Sequence, residues 1–287
     1  MNARDALRDA AARFAFSATP RLDAELLLAH ALDIPRERML LSLADVAVPD
    51  AFAALVDRRA AHEPVAYITG ARAFWTIDLA VAPGVLIPRA DSETLIEAAV
   101  DHFTGTTGPA RVLDLGTGSG ALLLAALDQW PAATGVGIDA SDAALAIARA
   151  NADRLDMTSR VDLRSGGWAG TGEAFDLVLC NPPYVETGAA LSDEVRGWEP
   201  ASALFAGADG LDDYRRIAPL IGAQIAHGGV ACVEIGAEQG RSAGDLFRAY
   251  GLSVAVKKDL GGRDRCLMVT TWVNRVENPG LATNISL

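Results

Sequence analysis

Arg111-Val112-Leu113-Asp114-Leu115-Gly116-Thr117-Gly118-Ser119-Gly120 decides the fold of this 287-residue chain. Its first five residues read as a strand, its last five as a glycine loop, and Ala121 to Gln129 as the following helix. Small residues at a helix N-terminus let backbone approach a ligand. Beyond the helix, Gly135-Val136-Gly137-Ile138 reads as a second strand that ends in Asp139. That acid lies about 20 residues past the loop, where a carboxylate can accept both hydroxyls of a ribose. The spacing fits a nucleoside cofactor. Gly116, Gly118 and Ala121 also satisfy the dinucleotide pattern, so the loop alone leaves nicotinamide cofactors open.

Asn181-Pro182-Pro183-Tyr184 narrows the choice. It follows Phe175 to Cys180, an apolar run that reads as a buried strand, and open α/β sheets bind ligands beyond their strands' carboxyl ends. Proline fixes φ and pushes the residue before it to extended geometry, so Asn181 and Pro182 are held stiff. The Asn181 side-chain oxygen and the Pro182 backbone oxygen can accept both hydrogens of one NH₂, while Tyr184 stacks on the attached planar group. Such geometry selects an amide or the exocyclic amine of a base. An amide nitrogen is a poor nucleophile, and two fixed acceptors orient it and stabilise the charge that grows as a methyl group arrives. No strong base is needed, because the methylated cation sheds its proton readily. The plainer alternative is a Pro-Pro turn that closes a strand over a buried Tyr. A hydride-transfer enzyme has no use for this tetrad, so loop and tetrad together favour S-adenosylmethionine as the cofactor.

Further stretches carry a resemblance: Arg21 to Leu28, Glu63-Pro64-Val65-Ala66-Tyr67-Ile68-Thr69-Gly70, Phe74-Trp75, Leu86-Ile87-Pro88-Arg89, Glu199-Pro200 and Glu234-Ile235-Gly236. With the loop and the tetrad they make the chain similar, nearly end to end, to the HemK/PrmC family of protein-glutamine methyltransferases. The glycine loop and the tetrad are shared among amino-group methyltransferases. The segments Glu63 to Gly70 and Leu86 to Glu93 narrow the family. The resemblance implies an α/β fold, a Rossmann-like class I methyltransferase sheet with a small N-terminal helical bundle joined by a β-hairpin. It implies a class 1 peptide-chain release factor as protein partner, methylated on the side-chain amide nitrogen of the glutamine in its Gly-Gly-Gln motif. Carried over by position, Gly116, Thr117, Gly118, Ser119, Gly120, Asp139, Trp168 and Asn181 would line the S-adenosylmethionine site. Asn181, Pro182, Pro183 and Tyr184 would hold the glutamine, with Asn181, Pro182 and Tyr184 as the catalytic set.

Two positions depart from the family pattern. Pro88-Arg89-Ala90-Asp91-Ser92-Glu93 stands where the family usually reads Pro-Arg-Pro-Asp-Thr-Glu. Gly167 precedes Trp168 where the family usually has an acid, so backbone groups would have to hold the adenine amine and cofactor affinity should be lower than typical. Asp114 has two readings: it holds the glycine loop through its N–H groups, or it reaches the amino group of the cofactor's methionine moiety.

With 51% hydrophobic residues there is ample material for a catalytic domain and a smaller one. A formal net charge of −12 lacks the basic face of a nucleic-acid binder and suits a basic protein partner. Cys180, Cys232 and Cys266 are odd in number and far apart, which argues against a disulfide framework, and the two in apolar strand-like runs read as reduced core residues. His30, His62, His102 and His227 show no ligand spacing, so no metal is expected. The amino terminus lacks a signal-peptide core and no uncharged run reaches spanning length, so a cytoplasmic monomer away from the membrane is expected.

Along the chain, residues 1–70 read as a helical substrate-recognition domain, 71–88 as a β-hairpin linker, 89–274 as the methyltransferase domain and 275–287 as a loosely ordered tail. Helices start at Thr19-Pro20 and Pro35, with Leu22, Leu26, Ala29, Leu40, Leu41 and Leu43 as apolar stripes and Phe52, Leu55, Val56 and Arg59 on a last helix. The hairpin spans Phe74 to Ile87 and turns at Pro83-Gly84. Asp91 or Ser92 opens a helix to Phe103. Val161 to Arg164, Gly229 to Ile235, Leu252 to Val256 and Arg265 to Trp272 complete a doubly wound sheet with an antiparallel edge. Glu186 to Asp209 is too irregular for one element and reads as a lid or as a surface excursion. An adenine methyltransferase on nucleic acid, a glutamine methyltransferase on a ribosomal protein and a non-catalytic cofactor-binding module stay open as alternatives.

Overall fold

The computed structural model describes residues 2–271. The chain divides into two units. The first gathers the residues up to Ala73 with Asp78–Ile87 and Ala189–Ala203, and the second holds Phe74–Ile77, Pro88–Gly188 and the chain from Leu204 onward.

The first unit is helical: α1 (Ala3–Arg13), α2 (Pro20–Leu32), α3 (Arg36–Leu41), α4 (Ala51–Ala60) and α5 (Val65–Thr69). Asn2 caps α1 by accepting from the Asp5 N–H, and Pro20 opens α2 at a position where a missing N–H costs nothing. Leu7, Phe14, Leu27, Leu28, Met39, Phe52 and Val56 form its core. Leu22, Leu26 and Leu41 do not belong to it. Leu22 and Leu26 are exposed and Leu41 is 91% exposed, whereas Ala24, Leu27 and Leu28 are buried. Helix α2 is apolar on several sides, so periodicity alone could not choose its inward face.

A second departure concerns Glu186 to Asp209. The segment is more regular than expected: it carries a helix, Asp193–Trp198 (α9), capped by Ser192, and the stretch Ala189–Ala203 belongs to the first unit. Glu194 meets Arg59 at 2.9 Å, Glu199 accepts from the Ile87 N–H at 3.2 Å, and Trp198 packs with Tyr67, Val81 and Ile87. Arg59 is buried, and its guanidinium also holds Asp23 at 2.8 Å and the Glu63 carbonyl at 3.1 Å. These bonds supply the partners that a desolvated cation requires.

Strands β1 (Ala71–Phe74) and β2 (Ile77–Ala80) pair, so the hairpin turns at Trp75-Thr76 and not at Pro83-Gly84. The turn residues are taken up by polar partners: the Trp75 N–H donates to Glu93 at 2.9 Å and the Thr76 hydroxyl to Asp128 at 2.5 Å. Pro83-Gly84 makes a later bend, where the Val85 N–H donates to the Ala82 carbonyl.

The second unit holds seven strands: β3 (Arg111–Leu115), β4 (Thr134–Asp139), β5 (Val161–Ser165), β6 (Phe175–Cys180), β7 (Ile225–Glu234), β8 (Leu252–Lys258) and β9 (Asp264–Thr271). Their order is β5-β4-β3-β6-β7-β9-β8. β3 to β7 are parallel, and β9 runs antiparallel to both neighbours, so the antiparallel strand lies one place in from the edge. Strand order reverses beside β3, which pairs with β4 on one side and β6 on the other. Helices α6 (Glu93–Phe103), α7 (Ala121–Gln129), α8 (Asp142–Arg154), α10 (Asp212–Ile221) and α11 (Gly240–Arg248) complete the α/β alternation. A Cβ at Gly135 on β4 would stand 2.4 Å from the Leu123 side chain, so α7 packs close to the sheet only because that position is bare. Cys180, Cys232 and Cys266 are free and buried. The expected strand end at Trp272 and the tail lie outside the described residues. No helix among the described residues is long and apolar enough to cross a membrane.

Candidate active site

The site grows from the reversal beside β3, where parallel strands present their carboxyl ends. The N–H groups of Gly116 and Thr117 both donate to the Ile138 carbonyl, at 2.8 and 2.9 Å, which folds the loop over the end of β4. Asp139 grips the loop from that strand: one carboxylate oxygen accepts from the Gly118 N–H and the other from the Ser141 N–H, each at 2.8 Å. Each oxygen keeps a second lone pair for a ligand hydroxyl. Buried Asn151 donates to the Ser119 carbonyl at 2.9 Å.

Asp114 holds the loop through the Thr117 side chain rather than through the glycine N–H groups. It takes the Thr117 hydroxyl at 2.7 Å and the Leu123 N–H at 3.3 Å, while the glycine N–H at 118 belongs to Asp139. Its Oδ1 is buried with no hydrogen-bond partner. Burial raises its pKa to about 7, outweighing the Thr117 and Leu123 bonds, and the nearby Asp139 charge pushes the same way. An orphaned acceptor beside the loop suits a ligand that brings a donor.

Gly116, Trp168 and Asn181 come together across the end of the sheet. A Cβ at Gly116 would lie 3.3 Å from the Trp168 ring and 3.9 Å from the Asn181 carbonyl oxygen, and the residue sits at φ +74°. The bare glycine thus lets the loop run under the ring. Trp168 is anchored at both ends, its indole N–H donating to Asp213 at 3.0 Å and its carbonyl accepting from Gln224 at 3.1 Å. Gly167 has open space around its missing side chain.

The Asn181 amide nitrogen donates to the Ser92 hydroxyl at 3.2 Å, which leaves Oδ1 as the acceptor end of the side chain. Pro182 is buried and Pro183 half-buried. Tyr184 packs against the second unit's core, its hydroxyl donating to Glu234 at 3.1 Å and its carbonyl accepting from Gln239 at 3.1 Å. Burial drives the Glu234 carboxyl up to about 7, against the opposing pull of Ser92, Arg265 and Tyr184. Burial and the Glu234 charge hold the Tyr184 hydroxyl in its neutral, donating form. Ser92 was read only as a helix start. It does stand at the N-cap position of α6, behind a short 3-10 turn, Ala90–Ser92, though its side chain makes no cap bond. Glu234 entered the sequence reading only within the stretch Glu234-Ile235-Gly236 and Arg265 only as the start of a strand, neither with a role in the site.

The donors and acceptors therefore form two adjoining pieces: a glycine loop between Asp114 and Asp139, and an amide acceptor with an anchored aromatic ring. The first can hold a nucleoside that carries an amine-bearing tail. The second can orient a carboxamide or an aromatic amine.

Comparisons with known proteins give the chain its relatives. Residues 5–70 match the model of the PrmC N-terminal domain and residues 91–197 that of the methyltransferase small domain. A release factor glutamine methyltransferase of Cereibacter sphaeroides is 46% identical over 274 residues, covering 92% of this chain and 97% of that protein. One from Caulobacter vibrioides is 41% identical, covering 96% of each chain. Among solved structures, the catalytic domain of hMettl16 in complex with a MAT2A 3′UTR hairpin superposes with a TM-score of 0.55 at 15% identity, covering 82% of this chain and 87% of that one. That likeness concerns the fold alone.

Proposed function

We propose that this chain, which belongs to the release factor glutamine methyltransferase family, methylates the side-chain amide nitrogen of the glutamine in the Gly-Gly-Gln motif of a class 1 peptide-chain release factor. The methyl group comes from S-adenosylmethionine, whose sulfonium makes that carbon electrophilic. The glycine loop from Gly116 to Gly120 and Trp168 form the cofactor's bed, and Asp139 takes its ribose hydroxyls. The orphaned Asp114 oxygen suits the amino group of its methionine moiety. Asn181 and Pro182 accept the two hydrogens of the glutamine amide, and Tyr184 walls its planar face. The fixed acceptors hold the nitrogen lone pair toward the methyl group and stabilise the positive charge that develops on it.

The observation that carries this reading is the Asn181 amide, tied by its nitrogen to Ser92 so that its oxygen is the end offered to an NH₂ donor. The net charge of −12 supports a protein acceptor over nucleic acid. The helical first unit carries no catalytic motif and serves to recognise the release factor, a reaction that belongs to the cytoplasm. The test is incubation with labelled methyl donor and, separately, release factor, ribosomal proteins and DNA. Label on the Gly-Gly-Gln glutamine is expected, and label confined to a ribosomal protein or DNA would overturn the proposal.

A further inference from the structure

We propose that Glu234 is a positioning residue whose carboxylate, acting through the Ser92 hydroxyl, sets which end of the Asn181 amide faces the acceptor. The inference rests on the reading of Asn181 as the group that receives the glutamine NH₂. Asn181 can do so only with its oxygen forward, since the opposite orientation would set its NH₂ against the NH₂ of the substrate. Something must therefore decide between two orientations of nearly identical shape.

Ser92 is that point of decision. Its hydroxyl accepts from the Asn181 amide nitrogen at 3.2 Å, so its own single hydrogen must go elsewhere. Glu234 closes β7 and is almost fully buried. One of its oxygens takes the Tyr184 hydroxyl, while Oε2 is buried with no hydrogen-bond partner. Ser92 nevertheless lies near enough to favour the Glu234 anion. With the Ser92 hydroxyl hydrogen turned to the Glu234 carboxylate, the chain has one polarity: Asn181 amide to Ser92, Ser92 to Glu234. The reverse chain, with Ser92 donating to the Asn181 oxygen, would withhold that hydrogen from the buried carboxylate, an arrangement disfavoured for a charged group. The carboxylate thus favours the productive orientation, and its protonated form, able to donate to Ser92, favours the other.

Among the described residues, the charged and titratable groups around Glu234 are Arg265 and Asp91, with Tyr184, Tyr214, Cys180 and Cys266. The Tyr184, Tyr214, Cys180 and Cys266 groups are held above their ordinary pKa values by burial and stay neutral near pH 7. Arg265 stays cationic, so Glu234 is the group of this cluster whose charge changes there.

The test compares single-turnover methylation of a release factor by wild type, Glu234→Gln, Glu234→Asp and Ser92→Ala across pH 5.5 to 9, with calorimetric S-adenosylmethionine affinity and melting temperature alongside. The wild-type rate should rise with pH through about 7, and Glu234→Gln should lose that limb and at least about tenfold in rate while keeping cofactor affinity. Glu234→Asp should recover part of both. Ser92→Ala, which leaves Glu234 and Tyr184 in place, should lose the limb as well and serves as the deciding variant if Glu234→Gln melts below the assay temperature. A wild-type rate and pH limb in Ser92→Ala, or a rate loss in Glu234→Gln with the limb intact, would overturn the proposal. Failure of the functional reading looks different, because wild type itself would then leave the glutamine unmodified.

Discussion

The Asp139 carboxylate receives the Gly118 N–H at 2.8 Å and so fastens the centre of the glycine loop to the end of the neighbouring strand. An acid read from the sequence as a ribose ligand is at the same time the clamp of the loop that would cradle the cofactor. Asp139→Ala therefore removes both roles. Calorimetry should show S-adenosylmethionine affinity reduced by roughly tenfold or more, from the loss of hydrogen bonds to a charged group. A variant with normal affinity but no activity would contradict the assignment.

Gly167 leads to a prediction of opposite sign. The space around its absent side chain is open, where the resemblance implies an acid. Gly167→Asp should be tolerated by the fold and tighten cofactor binding, by roughly tenfold for one added charge-assisted hydrogen bond. Calorimetry of the two proteins decides, and tighter binding by wild type would refute it.

Asp114 should leave a pH signature on stability. Its folded pKa near 7 exceeds the ordinary 3.8 because burial disfavours its charge. Below the ordinary value both states hold the proton and the group contributes nothing. Between there and about pH 7 the folded state keeps a proton that the unfolded state has lost. Stability therefore falls as pH rises through this window, by roughly 4 kcal/mol at its upper end. Glu234 adds a fall in the same direction. Denaturant titrations should show Asp114→Asn gaining on wild type between about pH 4 and 7. A gap independent of pH would show that the carboxyl is not destabilised by its surroundings.

In the first unit, Arg59→Ala should be severely destabilising. Asp23 would be left buried without its cation, and Glu194 would lose its tie to α4. The expected loss is about 3–5 kcal/mol by urea unfolding, and Arg59→Lys should restore only part of it, since an ammonium cannot reproduce the guanidinium's fork. A loss under about 1 kcal/mol would mean that the network is peripheral.

How much of this was legible depended on whether the cause was local. Phe175 to Cys180 and Arg111 to Leu115 could be read to the residue because strands buried on both faces are continuous apolar runs. The glycine loop and Asp139 followed from spacing. The hairpin turn was misplaced because Trp75 and Thr76 are held by Glu93 and Asp128, partners remote in sequence. The capture of α9 by Arg59 joins residues 135 apart, and the Asn181–Ser92 bond joins residues 89 apart. No periodicity announces such contacts. The inward face of α2 was ambiguous for another reason: its leucines fall on several sides, and only packing chose among them.

The account's central claim is that the Asn181 oxygen presents a carboxamide nitrogen to the methyl donor. The most direct measurement is mass-spectrometric mapping of labelled methyl on a release factor, with wild type and Asn181→Ala at matched cofactor saturation. The account predicts label on the Gly-Gly-Gln glutamine with wild type, and a rate reduced about 100-fold or more in Asn181→Ala with cofactor affinity largely kept. Unchanged turnover in Asn181→Ala, or label on another residue, would contradict it.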